Sequence, residues 1–456
     1  MDPTRHYFMY MEKAMRANWS APALSDYEGS IEYSCQELAQ AMERLKQEFY
    51  ALGIKPGDKL AIVGRNCSNW AVAYLAIAAF KGVVVTILPD WEAENIEILI
   101  THSDARVLFA SHAVLNKIAL SRMKHIEAAY SLEDLSLIKG KLPQPIPTPV
   151  LIAAQWHLPT DNIDDLALIH YADDDIAFPK GIMLTHRNIS SNVMFGQDSI
   201  ATGPNKSVLS LLPLSQMLGL VFDFLYPLAG GAHIYFVTKA LSYDQLLIAF
   251  QKVQPYMFVT IPHLIEKIAY KLIIPRVKTV LRRILWRVPI VGHHRRKEAY
   301  NRLMRALGGK IEILIIGDGI LDKRVEACLR QIRFPYTCGY GVAECGPLVG
   351  YEFPKQFAFG SVGKVVDRME VSIDSPHYHR IPGEILVRGE NVTLGYYRDM
   401  QLTNTIFTDD GWMRTGDTGT IDKEGNIFLK GKHTAPVVSV DEEDYFKPRA
   451  AAKVRR

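Results

Sequence analysis

Residues 59–88 read KLAIVGRNCSNWAVAYLAIAAFKGVVVTIL, and this run has the pattern of a complete strand–helix–strand unit. Residues 59–63 predict a buried strand, residues 70–80 an apolar helix, and residues 82–88, which are rich in β-branched side chains, a second strand. Strands that are apolar throughout are typical of parallel sheets with helices packed on their faces. The run therefore predicts an α/β fold.

The same alternation extends on both sides of this unit. Upstream, residues 33–52 carry apolar side chains at helical spacing and are followed by Gly53, which predicts an amphipathic helix. Downstream, strand-like and helix-like segments alternate again in residues 208–237 and 254–316. We therefore expect two doubly wound, mostly parallel sheets with covering helices.

Residues 360–430 have a different pattern. Short apolar segments such as residues 384–388 and 426–429 are separated by turn sequences such as Pro382-Gly383, and turns of this kind connect short antiparallel strands. The expected organisation is α/β subdomains in residues 1–359, a small distorted β-barrel subdomain in residues 360–431, and a hinge remnant with a basic tail in residues 432–456.

The composition indicates a globular protein. The chain of 456 residues is 48% hydrophobic and 22% charged, with a mean hydropathy of +0.01. A formal net charge of +3 gives no argument for a nucleic-acid partner. Its five cysteines lack C-x-x-C spacing, so neither a disulfide framework nor a zinc site is predicted. Because we find no signal-peptide pattern and no apolar run long enough to cross a bilayer, we predict a cytoplasmic protein.

Several short motifs carry the functional signal, although each alone would be weak. They combine glycine, proline and hydroxyl residues with a few charged residues. In chain order they are Pro179-Lys180-Gly181 with Leu184-Thr185-His186-Arg187-Asn188, Leu212-Pro213-Leu214-Ser215, Gly339-Tyr340-Gly341-Val342-Ala343-Glu344, Gly383-Glu384 through Arg388-Gly389 to Gly395-Tyr396-Tyr397, and Gly411-Trp412-Met413-Arg414-Thr415-Gly416-Asp417.

The order and spacing of these motifs resemble those of the acyl-activating, AMP-forming (AMP-binding) superfamily, and within it the long-chain fatty acyl-CoA synthetases. The resemblance covers residues 33–432 and implies the fold of an adenylating-enzyme N-terminal domain. It also implies a ligase of fatty acid metabolism that adenylates a fatty acid or another carboxylate with ATP and magnesium. Such a ligase releases pyrophosphate and transfers the acyl group to the thiol of coenzyme A.

The resemblance also implies roles for single residues. Glu344 and Lys180 would both be catalytic: Glu344 would hold magnesium through its carboxylate oxygens, and Lys180 would approach the phosphates. Asp417 would accept hydrogen bonds from the ribose hydroxyls. Outside their motifs, Asp417 would be interpreted as a turn residue and Glu344 as a solvated surface carboxylate. The other implied site residues are Gly317, Gly319, Tyr340 (on the adenine face), Gly341 and Lys432 at the nucleotide, and Gln216 and Gly219 at the acyl pocket.

The phosphate loop departs from the family pattern. The family places Ser, Thr and Gly before Pro-Lys-Gly, so that hydroxyls and backbone N–H groups cradle phosphates, whereas residues 172–178 read ADDDIAF. A carboxylate about 5 Å from a phosphate repels it by on the order of 3 kcal/mol at an effective dielectric near 20. Asp173, Asp174 and Asp175 are therefore expected to weaken ATP binding. Two interpretations stay open: an exposed acidic turn without a ligand, or a triplet that recruits an extra divalent cation.

Other departures affect the same reaction. Gln216 replaces a family histidine, Ala343 replaces a hydroxyl residue, and Lys432 stands at the hinge arginine. The residues after Lys432 are not expected to build the smaller domain that carries the family's adenylation lysine. We therefore expect an acyl-CoA synthetase-like protein of low or absent activity, with or without a partner that supplies the missing domain. The alternatives are a pseudoenzyme that acts as a fatty-acid-binding or membrane-associated interaction protein, and an inactive relic.

A basic segment in residues 267–297 is the last sequence signal. Basic residues such as Arg282, Arg283 and Arg287 interleave with apolar side chains such as Trp286, and no acidic residue interrupts them. This pattern is typical of an amphipathic helix at a membrane surface. Peripheral contact with the inner face of the membrane is one interpretation, and a surface helix whose apolar stripe packs on the protein body is the other.

Overall fold

A computed structural model of the chain describes residues 6–171, 179–274 and 289–432. Its largest sheet is parallel in the middle and antiparallel at both edges. In spatial order its strands are Gly395–Tyr396 (β20), Gly181–Thr185 (β9), Leu166–Tyr171 (β8), Val83–Ile87 (β4), Lys59–Val63 (β3), Ala105–Ala110 (β5), Ala128–Ser131 (β6) and Leu137–Lys139 (β7).

The strand–helix–strand unit predicted from residues 59–88 is present. β3 and β4 pair in parallel, with Leu60 opposite Val84, and a helix spanning Ser68–Ala79 (α3) connects them. Every residue of α3 is buried, which explains why its sequence is apolar on all sides. The helix begins earlier than predicted because Sγ of Cys67 accepts a hydrogen bond from the N–H of Trp70 at 3.4 Å and caps it.

The second sheet is parallel except for the pair at one edge. In spatial order its strands are Tyr336–Cys338 (β14), Ile313–Ile316 (β13), Met257–Thr260 (β12), Ser207–Ser210 (β10), His233–Phe236 (β11), Pro22–Asp26 (β1) and Glu32–Ser34 (β2). The predicted fold class, two mostly parallel sheets with covering helices, is confirmed.

Helices cover both sheets. They are Tyr7–Ala17 (α1), Cys35–Ala51 (α2), α3, Ala93–His102 (α4), His112–Leu115 (α5), His186–Ser199 (α6), Tyr226–Ala229 (α7), Tyr243–Val253 (α8), Pro262–Leu272 (α9), Pro289–Ala306 (α10), Lys323–Gln331 (α11) and Met400–Ile406 (α12). A π-helical segment, Gly219–Leu225, leads into α7. α2 begins at Cys35, later than predicted, because Ser34 and Glu37 form a capping box at the end of β2. In the described part of the chain, no helix combines the length and apolarity needed to cross a membrane.

Two smaller antiparallel sheets complete the fold. The four-stranded one comprises Met369–Asp374 (β18), Gly383–Gly389 (β19), Met413–Ile421 (β21) and Ile427–Lys432 (β22), and the three-stranded one Tyr340–Gly341 (β15), Leu348–Tyr351 (β16) and Lys364–Val365 (β17). One hydrophobic core joins Phe109 of the first sheet, Phe236 of the second and Ile385 of the four-stranded sheet. The subdomain boundaries at residues 359 and 431 stay a prediction.

Candidate functional site

Two glycine-containing loops meet at the carboxyl edge of the seven-stranded sheet. β13 and β14 are parallel neighbours, and the N–H of Gly339 donates a hydrogen bond to the carbonyl oxygen of Ile316 at 2.8 Å. The loop after β13 contains Gly317 and Gly319, and the loop after β14 continues into Tyr340. Open α/β sheets bind their ligands at this edge. The structure thus brings together three residues that the sequence assigned to the nucleotide.

Tight packing explains why these positions are glycines. A Cβ at Gly341 would lie 1.8 Å from the carbonyl oxygen of Pro347, and a Cβ at Gly317 would lie 2.9 Å from Cδ2 of Leu218. Gly319 has a φ of +149°, a backbone conformation that L side chains rarely adopt. A larger residue at any of these positions would move the loops apart or strain them.

Tyr340 and Asp417 are in direct contact. The hydroxyl of Tyr340 donates a hydrogen bond to Oδ2 of Asp417 at 2.9 Å. The Tyr340 side chain is 4% exposed, and burial together with the negative charge of Asp417 raises its pKa. Asp417 lies in β21, is half-buried, and its N–H donates to Oγ1 of Thr415 at 3.2 Å. This contact places the carboxylate of Asp417 beside the loop that follows β14. Adenine stacking by Tyr340 and ribose binding by Asp417 stay predictions.

Glu344 lies in a short 3₁₀ turn, Ala343–Cys345, and is held on both its backbone and its side chain. The hydroxyl of Tyr396 donates to Oε1 of Glu344 at 2.8 Å, and the N–H of Thr393 donates to the carbonyl oxygen of Glu344 at 2.8 Å. Asn192 of α6 fixes the following residues, because its amide group pairs with the carbonyl of Cys345 at 3.1 Å and with the N–H of Leu348 at 2.9 Å. The carboxylate therefore has a defined position beside β20.

The carboxylate of Glu344 has the chemistry of a ligand for a magnesium ion that is also bound to phosphate. Over the residues that the structure describes, no group of three or more His, Cys, Asp or Glu side chains could hold a metal by itself. Magnesium in nucleotide sites is commonly held by one or two carboxylates plus phosphate oxygens and water. The half-buried carboxylate of Glu344 can supply such a ligand.

The phosphate loop connects two antiparallel strands. Tyr171 at the end of β8 lies opposite Gly181 at the start of β9. Lys180 directly precedes β9 and is half-buried. The carbonyl oxygen of Gly181 accepts a hydrogen bond from the N–H of Tyr397 at 2.7 Å, which ties the start of β9 to the residue after β20. Residues 172–178 lie outside the described residues, so the predicted effect of the acidic triplet stays a prediction.

The predicted acyl-pocket residues lie at the same carboxyl edge, after β10. Gln216 follows the Pro-Leu-Ser motif, and its N–H donates to the carbonyl oxygen of Pro213 at 3.0 Å. Gly219 begins the π-helical segment, where a Cβ would lie 2.4 Å from the same carbonyl oxygen. Leu218 fills the space next to Gly317, since a Cβ at Gly317 would lie 2.9 Å from its Cδ2 atom. The 211–219 segment therefore lies beside the loop that contains Gly317. The structure thus places the predicted acyl residues next to the predicted nucleotide residues.

The Leu-Thr-His-Arg-Asn motif has a structural explanation. Thr185 and Asn188 form a capping box at the start of α6, and Nδ2 of Asn188 also donates to the carbonyl oxygens of Glu390 and Val392 at 2.8 and 2.9 Å. The motif therefore connects α6 to the residues between β19 and β20. His186 is buried, and burial lowers its pKa to about 3, so it is neutral at physiological pH.

Two other sequence predictions fall partly on residues that the structure does not describe. Lys432 pairs through its backbone with Asp417 across β21 and β22, and its role at the nucleotide stays a prediction. The basic segment in residues 267–297 includes residues 275–288, which lie outside the described ranges. At its start, Nζ of Lys271 lies 4.1 Å from the centre of the Tyr243 ring.

Sequence reasoning missed three polar residues at this edge. Tyr396 contacts Glu344, while the side chains of Asn66 and Asp223 hydrogen-bond to backbone groups of the 211–214 segment. A signal for Asp223 was available, since it is the one charged residue in the apolar run GLVFDFL, and a buried charge needs a partner. Tyr396 lay within a recognised motif, but no periodicity indicates which carboxylate its hydroxyl meets.

Comparisons with known proteins identify the family of the chain. A family model described as "AMP-binding enzyme" matches residues 11–397. The chain is 24% identical to 4-coumarate–CoA ligase 2 of Oryza sativa subsp. japonica, with 90% of this chain and 71% of that protein covered. It is 25% identical to the peroxisomal long chain acyl-CoA synthetase 7 of Arabidopsis thaliana, with 84% and 61% covered. It is 24% identical to human long-chain-fatty-acid–CoA ligase 1, with 88% and 64% covered. The chain thus spans 61% to 71% of the length of these relatives.

Solved structures share the fold. The N-terminal domain of FACL13 from Mycobacterium tuberculosis has a TM-score of 0.72 at 15% identity, with 93% of this chain and 99% of that chain covered. ATP-bound MatB from Rhodopseudomonas palustris has a TM-score of 0.73 at 21% identity, with 94% and 78% covered. At these identities the likeness concerns the fold alone.

Proposed function

Because the chain belongs to the AMP-binding enzyme family, we propose that it is an acyl-CoA synthetase-like protein whose site takes a fatty acid or another carboxylate together with ATP. Magnesium and coenzyme A are the further ligands that the family reaction requires. We further propose that its catalytic activity is low or absent. The family reaction forms an acyl adenylate, releases pyrophosphate, and then forms a thioester with coenzyme A.

The observation that carries the proposal is the meeting of Asp417 and Tyr340 beside Gly317 and Gly319. The Tyr340 hydroxyl orients the carboxylate of Asp417, and a carboxylate in that orientation would accept hydrogen bonds from the ribose hydroxyls. The loop that contains Gly317 and Gly319 would place backbone atoms close to an adenine ring bound at this edge of the sheet.

The acyl end of the site is proposed to lie at the 211–219 segment. Leu218 packs against Gly317, so a carboxylate held by this segment would lie next to the α-phosphate of a nucleotide at the glycine loops. Glu344 would hold the magnesium that neutralises phosphate charge, and Lys180 would contribute a positive charge at the phosphates. These residues would position the carboxylate oxygen for attack on the α-phosphate.

Low activity is proposed from the charges of the phosphate loop. Asp173, Asp174 and Asp175 stand where the family has hydroxyl and glycine residues. Each carboxylate would repel the polyphosphate by on the order of 3 kcal/mol at about 5 Å before screening by solvent. The same charges favour a second candidate function, a fatty-acid-binding protein that does not turn over ATP, because they leave the acyl end unchanged.

A cytoplasmic location with peripheral membrane contact is also proposed. The five cysteines are free, as expected in a reducing compartment. The interleaved basic and apolar residues of the 267–297 segment, with Trp286 among them, favour an anionic lipid surface as the contact.

Carboxylate-dependent exchange of pyrophosphate into ATP tests the proposal directly. With dodecanoate as the acid, we expect slow exchange that Asp417→Asn removes, and calorimetry should show dodecanoate binding without ATP. Asp374→Asn, at an exposed position of β18 in the same sheet as Asp417, is the matched control and should leave the exchange unchanged. Rapid exchange would overturn the low-activity proposal, while the absence of both exchange and carboxylate binding would overturn the acyl-CoA synthetase-like function itself.

A further inference from the structure

The backbone between β10 and the π-helical segment is held by two buried side chains and not by a neighbouring strand. Four of its polar groups are paired in this way: the N–H groups of Leu211, Leu212 and Leu214 and the carbonyl of Leu212. Leu212 and Leu214 are buried, and a buried backbone group without a partner is costly. The conformation of this segment therefore depends on the two side chains that pair with it.

Asp223 supplies the first pair of contacts. Its Oδ2 accepts hydrogen bonds from the N–H of Leu211 at 3.1 Å and of Leu212 at 3.2 Å, and its side chain is 1% exposed. It lies in the π-helical segment, which begins at Gly219 against the carbonyl oxygen of Pro213. The π-helical segment therefore contacts the 211–214 backbone twice, through the side chain of Asp223 and through Gly219.

Asn66 supplies the second pair of contacts. It follows β3, a strand of the eight-stranded sheet. Its Nδ2 donates to the carbonyl oxygen of Leu212 at 2.7 Å, and its Oδ1 accepts from the N–H of Leu214 at 2.8 Å. A primary amide has one acceptor and two donors on one plane, so it can pair with a carbonyl and an N–H at the same time. A carboxylate or an aliphatic side chain of the same size cannot do so.

We propose that Asn66 and Asp223 are positioning residues for substrate carboxylate recognition, acting through the backbone of the 211–214 segment. The inference rests on the proposed function, because Gln216 and Gly219 immediately follow this segment. Asn66 and Asp223 thereby set the position of Gln216, whose N–H donates to the carbonyl oxygen of Pro213 within the same segment. They act on the acyl end of the site, and the nucleotide contacts of Asp417 and Glu344 do not depend on them.

The sharpest variant is Asn66→Asp, which keeps the shape of the side chain. It is measured at a pH well above 7, where the new carboxylate is ionised and has no donor for the carbonyl of Leu212. Asn69→Asp is the matched control, because Asn69 is also buried and its Nδ2 donates to a backbone carbonyl, that of Leu132, at 2.9 Å. Asp223→Leu removes the oxygen that accepts from both N–H groups, whereas Asp223→Asn keeps one oxygen that can accept from the backbone and serves as the conservative rescue.

Calorimetry of dodecanoate and of ATP with magnesium, with hydrogen exchange of residues 211–214 read by mass spectrometry, tests the proposal. We expect Asn66→Asp to weaken dodecanoate binding at least about tenfold, because the unpaired carbonyl of Leu212 would shift the 211–214 segment. ATP binding should change less than about threefold. Amide exchange in residues 211–214 should rise in the same variant. Asn69→Asp should change neither quantity, and Asp223→Asn should bind dodecanoate like the parent protein.

Each outcome has a distinct meaning. If the parent protein binds dodecanoate and Asn66→Asp binds it equally well, the positioning role is wrong and the proposed function stands. If Asn69→Asp weakens dodecanoate as much as Asn66→Asp does, the effect is general destabilisation and the positioning role is again wrong. If the parent protein binds neither dodecanoate nor 4-coumarate nor acetate, the proposed function fails, and the positioning role fails with it. Should Asp223→Leu not fold, Asn66→Asp alone decides the question.

Discussion

The hydroxyl of Tyr340 lies 2.9 Å from Oδ2 of Asp417 and donates a hydrogen bond that joins the three-stranded sheet to the four-stranded sheet. The two residues are far apart in sequence, and each belongs to a different motif. Their contact makes the orientation of the Asp417 carboxylate depend on the loop that follows β14. Nucleotide recognition and the packing of the small sheet are therefore linked at one hydrogen bond.

Tyr340→Phe should weaken ATP binding while keeping the aromatic ring. The variant removes the donor to Asp417, so the carboxylate is no longer held in one orientation, and we expect a loss of about three- to tenfold in affinity and about 1 kcal/mol in stability. Calorimetry with ATP and magnesium measures the first quantity, and urea unfolding measures the second.

Tyr336→Phe is the control for the Tyr340 prediction. Its buried hydroxyl donates to Oε1 of Glu326 at 3.4 Å, on the strand β14 that precedes the nucleotide loop. It should cost similar stability without changing the affinity for ATP. Unchanged ATP affinity in Tyr340→Phe would contradict an oriented Asp417 as the ribose acceptor.

Removing the charges of the phosphate loop should strengthen ATP binding. Replacement of Asp173, Asp174 and Asp175 together by Asn keeps the side-chain size and removes three negative charges, and we expect at least about a tenfold gain in affinity for ATP with magnesium. The matched control replaces three exposed acids elsewhere, Asp198→Asn, Asp244→Asn and Glu424→Gln, and changes the net charge equally. If both triple variants gain equally, the effect comes from net charge. A loss in the loop variant would instead favour an extra cation held by the acidic triplet.

Glu344→Gln should remove the magnesium dependence of nucleotide binding. The amide oxygen can still accept the hydrogen bond from Tyr396, so the loop keeps its shape while the charge is lost. We expect ATP affinity in magnesium to fall about tenfold and ATP affinity in the presence of EDTA to stay constant. Tyr396→Phe keeps the negative charge of Glu344 and removes only the hydrogen bond that orients the carboxylate, so the effect of this variant should be smaller. An equal loss with and without magnesium would contradict the ligand role of Glu344.

Local patterns predicted the large elements well. The run at residues 59–88 gave the parallel pair β3 and β4 because buried strands and buried helices have few polar residues. The errors lie at helix ends, where single side chains decide: Cys67 starts α3 early, and Ser34 delays α2. These caps are contacts of one or two atoms, which hydrophobic periodicity does not record.

The sequence predicted which loops form the candidate site, but not which side chains contact each other within it. Motif residues such as Gly317 and Tyr340 follow strand ends, and parallel neighbours bring strand ends together, so their meeting follows from topology. The contacts of Asn66 with Leu212 and Leu214 join different sheets, and their register depends on how the two sheets pack. Thr185 and Asn188 were grouped with the functional motifs, and the structure shows them as a helix cap and a tether.

Reversing the charges of the basic segment tests the membrane contact. Arg282→Glu, Arg283→Glu and Arg287→Glu together should reduce co-sedimentation with vesicles of phosphatidylcholine and phosphatidylserine by roughly 100-fold, since each basic residue near an anionic surface contributes about 1 kcal/mol. Lys310→Glu, Lys323→Glu and Arg324→Glu, three exposed positions on other elements, form the control. Vesicles of phosphatidylcholine alone should show little difference. Equal co-sedimentation of both triple variants would remove the membrane contact.

The stability of the protein should depend on pH through Asp223. Burial is the main cause that raises the pKa of this carboxyl from 3.8 to about 7, against the opposing hydrogen bonds from the N–H groups of Leu212 and Leu211. Below pH 3.8 the carboxyl is protonated in both the folded and the unfolded chain. Between about pH 4 and pH 7 the unfolded chain releases the proton and the folded chain keeps it, so the free energy of unfolding falls as the pH rises. Above about pH 7 both states are ionised and the loss is complete.

Asp223→Asn isolates this contribution, because the amide does not titrate and every other group is shared with the parent protein. Among the shared groups are His6 and His186, whose pKa values burial lowers to about 4 and about 3. The variant should therefore gain stability relative to the parent by on the order of 4 kcal/mol between pH 4 and pH 7, and no more above that range. Urea unfolding at a series of pH values measures the difference. A difference that stays constant across this range would mean that Asp223 is ionised in the folded protein even at low pH, held by the N–H groups of Leu211 and Leu212.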